Sequence, residues 1–333
     1  MTELTTPHSL SRHVDLAQPR LGTKVVFATD DFFADKSRLI SPAEPIFIDD
    51  KYDDHGKWMD GWESRRKRTP GHDHCIIKLG VPGAIHGFNI DTRHFTGNFP
   101  PAASIEACRS AEEIPDEDAG WVELVSKTTL EGDSQHFVEA AVTEQFTHVR
   151  LHIYPDGGIA RLRVFGTIQP DWSTFDPAAT IDLLALANGG RAIDCNDEHY
   201  GSMRNLNAPG RGVNMGDGWE TARRRVPGND WVVLALGHPG IVSEIEIDTA
   251  HFKGNYPDRV MIQAALLEPT DDNTVSAASK DWPILLPASK LGADTQHLFT
   301  DLDTKTPVSH VRMNIYPDGG VSRLRINGQL ASN

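Results

Sequence analysis

Two short motifs in this chain carry the residues with the most chemical content. In Gly61-Trp62-Glu63-Ser64-Arg65-Arg66-Lys67-Arg68, a carboxylate is followed at once by a run of cations. Guanidinium groups are planar forks of N–H donors that match a carboxylate bidentately. The cluster reads either as a site for a small anion or as an internal ion-pair network around Glu63. One glutamate cannot pair all of these cations, which favours a ligand for the cluster as a whole. In Asp91-Thr92-Arg93-His94-Phe95-Thr96-Gly97-Asn98, one loop holds a carboxylate, an imidazole and a carboxamide. That set suits general acid–base work, because histidine titrates near neutral pH. The competing reading is a turn in which Asp91 caps, Gly97 takes positive φ and Asn98 bonds backbone. The turn accounts for Gly97 and Asn98 and accounts less well for His94.

Both motifs occur twice. The first returns as Gly218-Trp219-Glu220-Thr221-Ala222-Arg223-Arg224-Arg225 and the second as Asp248-Thr249-Ala250-His251-Phe252-Lys253-Gly254-Asn255. A third stretch, Tyr154-Pro155-Asp156-Gly157-Gly158, returns as Tyr316-Pro317-Asp318-Gly319-Gly320. One copy therefore serves as a control for the other. The acid–base candidates are His94 and His251, Glu63 and Glu220, and Asp91 and Asp248. The ligand-binding candidates are Arg65, Arg66, Arg68, Arg223, Arg224 and Arg225, with Asn98 and Asn255 as neutral polar groups.

The same control removes other residues. His72-Asp73-His74 has a metal-like look, but the second copy has Asn229-Asp230-Trp231. A transition-metal site needs three or four ligands held together, so no metal is assigned there. Asp30-Asp31 aligns with Asp197-Glu198, and such pairs either hold a hard cation through oxygen ligands, bond ligand N–H groups, or line a surface loop. No cofactor is required by the sequence, and a divalent cation is admitted. Motifs for phosphate-loop, serine-hydrolase and zinc-protease chemistry are absent.

These residues must be positioned by strands. Val149, Leu151 and Ile153 alternate with His148, Arg150 and His152, the pattern of a half-buried strand. Tyr-Pro-Asp-Gly-Gly supplies a turn, and residues 160–164 alternate again, which predicts an antiparallel hairpin with Arg161 and Arg163 on the polar face that also carries Arg150. Short strands, Gly/Pro turns and little helical periodicity predict an all-β chain of two tandem jelly-roll sandwiches. The expected boundaries are an N-terminal extension at 1–20, a first repeat at 21–169, a linker at 170–184 and a second repeat at 185–331. Residues 181–187 read as one or two helical turns or as a buried connector.

Composition narrows the partners. The chain has 333 residues, enough for two domains at roughly 100–200 residues each. Its formal charge of −15 opposes binding to a phosphate backbone, so no nucleic-acid partner is expected. No apolar run approaches a membrane span and the first residues lack a signal-peptide pattern. Three sparse cysteines, none in a C-x-x-C pair, fit a reducing compartment. A cytoplasmic protein is expected.

The chain resembles the allantoicase family. The resemblance is carried by residues 29–34, 60–68, 91–98 and 154–161, and by residues 214–224 of the second copy, and it spans nearly the whole chain. It implies two jelly rolls of the galactose-binding type and hydrolysis of allantoate with water to (S)-ureidoglycolate and urea, a step in purine-nitrogen use. The implied partner is a small molecule, allantoate, and a homo-oligomer is the expected assembly. The alternative is a non-catalytic tandem jelly roll that binds a sugar or another small ligand, since fold alone does not imply chemistry.

Overall fold

The computed structural model describes residues 8–140, 144–302 and 306–331. The chain divides into two units, Met1–Pro170 and Asp171–Asn333, each a β-sandwich. In the first unit the strands are β1 (Val14–Asp15), β2 (Lys24–Ala28), β3 (Trp62–Glu63), β4 (Asp73–Asp91), β5 (Ala102–Cys108), β6 (Val122–Thr129), β7 (Gln135–Glu139), β8 (Gln145–Tyr154), β9 (Gly158–Ile159) and β10 (Arg161–Ile168). In the second they are β11 (Ile181–Asp182), β12 (Arg191–Cys195), β13 (Trp219–Glu220), β14 (Asp230–Asp248), β15 (Arg259–Ala265), β16 (Ile284–Lys290), β17 (Gln296–Phe299), β18 (Val308–Tyr316), β19 (Gly320–Val321) and β20 (Arg323–Leu330). A helix, α1 (Asp272–Ala278), follows β15.

Strand β4 spans 19 residues and belongs to both layers of its sandwich. Its first part pairs with β2 and β8, and its last part pairs with β7 and β10. Its register with β8 shifts between Lys78 and Gly83. Gly80 is required there, because a Cβ would lie 2.0 Å from the Leu21 carbonyl oxygen. Strand β14 repeats the device, and the two pairings of β4 recur around it.

The predicted hairpin is not formed. β8 and β10 do not pair with each other; each pairs with a different part of β4. Residues 154–158 therefore carry the chain from one layer to the other, and β9 pairs with β3 on the way. Arg161 and Arg163 consequently lie on a different layer from Arg150. The turn residues signal a change of direction, and they do not specify the partner of the next strand.

Alternation sets the core. Val149, Leu151 and Ile153 are fully buried, with Trp62, Phe88 and Phe95. The other face of β8 is covered too: His148, Arg150 and His152 are also buried. In the second unit Arg312 and Asn314 of β18 are buried in the same way, with the Arg312 guanidinium bonded to Ser279 just beyond α1. Pairing begins earlier than either expected repeat start. Val14 and Asp15 pair with Gly166 and Phe165, and Ile181 and Asp182 pair with Gly328 and Asn327. Residues 181–187 contain that short strand, the fully buried Leu183 and Leu184, and the start of the helical turn Leu186–Asn188.

Candidate active site

The site is built on β3. Glu63 is the partner of Gly158 in β9, and its backbone also pairs with Ala34. Trp62 anchors the strand from beneath, with its ring fully buried and Nε1 donating to the Asp30 carbonyl at 2.8 Å. Gly158 packs so tightly that a Cβ would fall 2.0 Å from the Phe95 ring. These contacts present the Glu63 side chain to Asn98, whose Nδ2 donates to Oε1 at 2.7 Å. The loop of Asn98 is fixed in turn, since its carbonyl accepts from Gly158 N at 2.7 Å. Burial pushes the Glu63 carboxyl above the usual carboxylate range, outweighing the bond from Asn98 that favours the ionised form. Glu63 keeps 9% of its surface exposed, and Oε2 has no partner among the described residues. The second copy repeats the couple as Glu220 and Asn255, with Glu220 less buried.

The cations that follow are tied down at both ends of their loop by one turn. Ser64 N donates to Gly157 O at 3.1 Å, and Asp73 N donates to Pro155 O at 3.0 Å. Pro155 and Gly157 are two residues apart, at most about 7 Å along the backbone. Residues 65–72 thus leave this turn and return to it. Lys67 is held inside the loop, its N–H on Asp156 at 2.8 Å and its Nζ 2.6 Å from the buried Asp73. Arg65 is paired with Asp30 at 2.6 Å. Burial works against the charge on Asp30, but hydrogen bonds from the Arg65 side chain and backbone hold its carboxyl below the usual range. Arg66 and Arg68 are exposed, and no carboxylate lies within ion-pair distance of them among the described residues. In the second copy Arg224 takes the place of Lys67, with its N–H on Asp318 at 2.8 Å and its guanidinium 3.1 Å from Asp230, while Arg223 and Arg225 are exposed.

The remaining candidates are held in other contacts. Asp91 is buried and bonded by Arg93 through Nε at 2.9 Å and Nη2 at 2.6 Å. Ala250 replaces Arg93 in the second copy, and there Arg211 reaches in from another loop to Asp248 at 2.8 Å. His94 and His251 take positive φ, 69° and 71°. The N–H of each is held by an aspartate, Asp133 or Asp294, and each ring Nε2 meets a loop carbonyl, Pro45 at 3.1 Å and Gly212 at 2.8 Å. A carbonyl only accepts, so Nε2 carries the proton, and both rings fasten a long loop. The acidic pair Asp30-Asp31 faces Arg65 and Lys36. Among the described residues no group of three or more His, Cys, Asp or Glu side chains is placed to hold a metal ion.

The allantoicase repeat model matches the chain twice, over residues 14–169 and 181–331. The chain belongs to the allantoicase family. It is 55% identical to probable allantoicase 1 of Burkholderia mallei, covering 99% of this chain and 98% of that one. It is 53% identical to the probable allantoicase of Ralstonia nicotianae, covering 97% of each. The crystal structure of Saccharomyces cerevisiae allantoicase superimposes with a TM-score of 0.79 at 39% identity, covering 96% of this chain and 94% of that one.

Two features of this allantoicase-family chain are not evident from the motifs. A cavity of about 620 Å³ in the second copy is lined by Gly228, Asp258, Arg259, Ala288, Tyr316 and Pro317, with neither Glu220 nor Asn255 among them. In the first copy, His72, His152 and Glu106 join into one chain of hydrogen bonds. Comparison of the copies sets His72 aside because it differs between copies, and does not single out His152 or Glu106. The signal that finds them is the strand period, which puts His74, Arg150 and His152 on the face opposite the core.

Proposed function

We propose that the chain hydrolyses allantoate with water to (S)-ureidoglycolate and urea, a step of purine-nitrogen use, and that the first copy performs the chemistry. The observation that carries the site is Glu63, a carboxyl that burial pushes above the usual carboxylate range, hydrogen-bonded to Asn98 at the root of a loop bearing two arginines with no carboxylate partner among the described residues. Allantoate bears one carboxylate and two ureido groups on a single carbon. Urea leaves intact, so the bond broken joins that carbon to nitrogen. Arg66 and Arg68 bind the substrate carboxylate, and Glu63 gives its proton to the departing nitrogen. The retained ureido nitrogen shares its lone pair with the carbon, to which water adds. Asn98 positions Glu63 with one amide N–H and offers its oxygen to a ureido N–H. We assign no proton transfer to His94, His251, Asp91 or Asp248, whose hydrogen bonds hold loops.

The test is urea release from single variants. Glu63→Gln keeps the shape and removes the proton donor, and should lower kcat by about 10²-fold or more. Glu220→Gln should stay within a few-fold of the parent. Equal loss from both would assign the chemistry to both copies, and full activity of Glu63→Gln would remove it as the acid. A chain that binds allantoate without releasing urea would favour the non-catalytic reading.

A further inference from the structure

On the first copy, the face of β4, β8 and β5 opposite the core carries a chain of titratable side chains. His72 Nε2 lies 2.9 Å from His152 Nδ1, and His152 Nε2 lies 3.0 Å from Glu106 Oε2. Arg150 donates to the same oxygen through Nε at 2.9 Å and Nη2 at 2.6 Å. The bonding fixes the protons. Burial works against the charge on Glu106, but the bonds from His152 and Arg150 hold its carboxyl below the usual range, so it is ionised. An ionised carboxylate only accepts, so His152 Nε2 carries a proton, and in the neutral imidazole His152 Nδ1 is then the acceptor. His72 Nε2 is therefore the donor, and His72 Nδ1 is left as a bare nitrogen at the outer end of the chain.

The second copy shows what this face needs for its shape alone. The three positions there are Asn229, Asn314 and Gln263. Asn229 Nδ2 donates to Asn314 Oδ1 at 3.3 Å, and Asn314 Nδ2 donates to Gln263 Oε1 at 2.9 Å. Arg312 donates to Asn314 Oδ1 at 3.0 Å and lies 4.2 Å over Trp231, while Arg150 lies 4.3 Å over Trp121. Amides thus suffice to bond the same two links. The first copy builds them from groups that move protons.

The outer end of this chain is one end of the cation loop to which the proposed function assigns the substrate. His72 closes the cation loop that Glu63 opens, and both ends of that loop are bonded to the turn at 155–157. The His72 ring also packs 4.5 Å from Tyr154, the residue before the turn, whose hydroxyl meets Ser104 at 2.9 Å. We propose that His72 is the general base that takes a proton from the attacking water, with His152 and Glu106 as the relay behind it. The proposal rests on the reading of allantoate hydrolysis at Glu63.

The step balances. The water oxygen bonds to the central carbon, and one water proton goes to His72 Nδ1. The proton on His72 Nε2 passes to His152 Nδ1, and the resulting imidazolium lies against Glu106. The carbon–nitrogen bond breaks as Glu63 protonates the leaving urea. Return of the relay proton to Glu63 through solvent restores both groups. Groups facing the relay are Lys67, Asp73 and His74 from the cation loop and β4, Arg150 and Tyr154 from β8, Lys127 from β6, Ser104 from β5, and Glu117 from the connecting loop. Burial first, then the positive potential of His152 and Lys67, keeps His72 neutral to lower pH than a free imidazole.

The experiment writes the second copy's residues into the first: His72→Asn, His152→Asn and Glu106→Gln, alone and combined, in the full chain. Urea release is followed against pH, with melting as the folding control. The combined variant should lose about 10²–10⁴-fold in kcat. It should bind allantoate nearly as the parent does and lose the fall in kcat/KM that the parent shows on the acid side. His72→Asn alone should reproduce most of this, and His152→Asn should shift the acid limb. A folded triple variant with parental kcat and acid limb would overturn the relay. If Glu63→Gln is then inactive, the allantoate reading survives without the relay. A parent chain that releases no urea would instead overturn that reading, and the relay with it.

Discussion

Arg66 and Arg68, in the loop that follows the buried Glu63, are exposed cations with no carboxylate partner among the described residues, and Arg65, their neighbour, is held by Asp30. A charged hydrogen bond contributes about 1.5–3 kcal/mol, so Arg66→Ala or Arg68→Ala should raise KM for allantoate by roughly 10- to 100-fold. Arg65→Ala should change it little, and steady-state kinetics on the three variants separates these cases. His94→Ala removes one bond to a loop carbonyl and should lower stability by about 1 kcal/mol with kcat nearly unchanged, as read by urea unfolding and turnover. On the alkaline side, activity should fall as Glu63 loses its proton, above the ordinary glutamate range. Of this scale, the sequence made Glu63, Asn98 and the cation loop legible, because they repeat. It could not separate Arg66 from Arg65, since Asp30, which holds Arg65, lies far off in the chain. His94 looked catalytic for the same reason, because the carbonyls that meet His94 and His251 come from a loop with no shared residue pattern.

At the level of elements, a buried arginine is among the contacts that hold each of the long loops ahead of β3 and β13. Arg161 of β10 reaches Ala43 O at 2.9 Å, Asp60 O at 2.9 Å and the Asp60 carboxylate at 2.7 Å. Arg323 does the same with Gly210 O, Asp217 O and the Asp217 carboxylate. Breaking a buried pair costs about 3–5 kcal/mol. Arg161→Ala should therefore destabilise the chain by about that amount in a urea melt, and the position of Glu63, which follows Asp60, should loosen with it. Alternation in the sequence located these strands and their inner faces. It missed the pairing of β8 and β10 because each strand bonds to β4, and a strand serving both layers looks like any long apolar run. It also read the outer face of β8 as solvated, whereas Glu106, Glu117 and Trp121 close over Arg150.

The whole molecule is a duplication whose copies have diverged on one face. Each unit has its own core, so residues 1–170 and 171–333 made separately should each unfold cooperatively, as followed by circular dichroism in denaturant. The duplication was legible from the sequence because turn and strand motifs recur in order. The divergence was not, because it lies in side chains that contact one another only after β4, β5 and β8 are side by side. In the second copy amides bond where the first has imidazoles and a carboxylate.

The cation loop is fastened by backbone donors at both ends: Ser64 N and Asp73 N in the first copy, Thr221 N and Asp230 N in the second. Neither fastening depends on the identity of a side chain between them. The stretch therefore behaves as an interchangeable cassette in a constant frame. Residues 65–71 should be exchangeable for 222–228, because Arg224 makes to the buried Asp230 the ion pair that Lys67 makes to Asp73. Natural drift in which anion the scaffold accepts has the same route open to it.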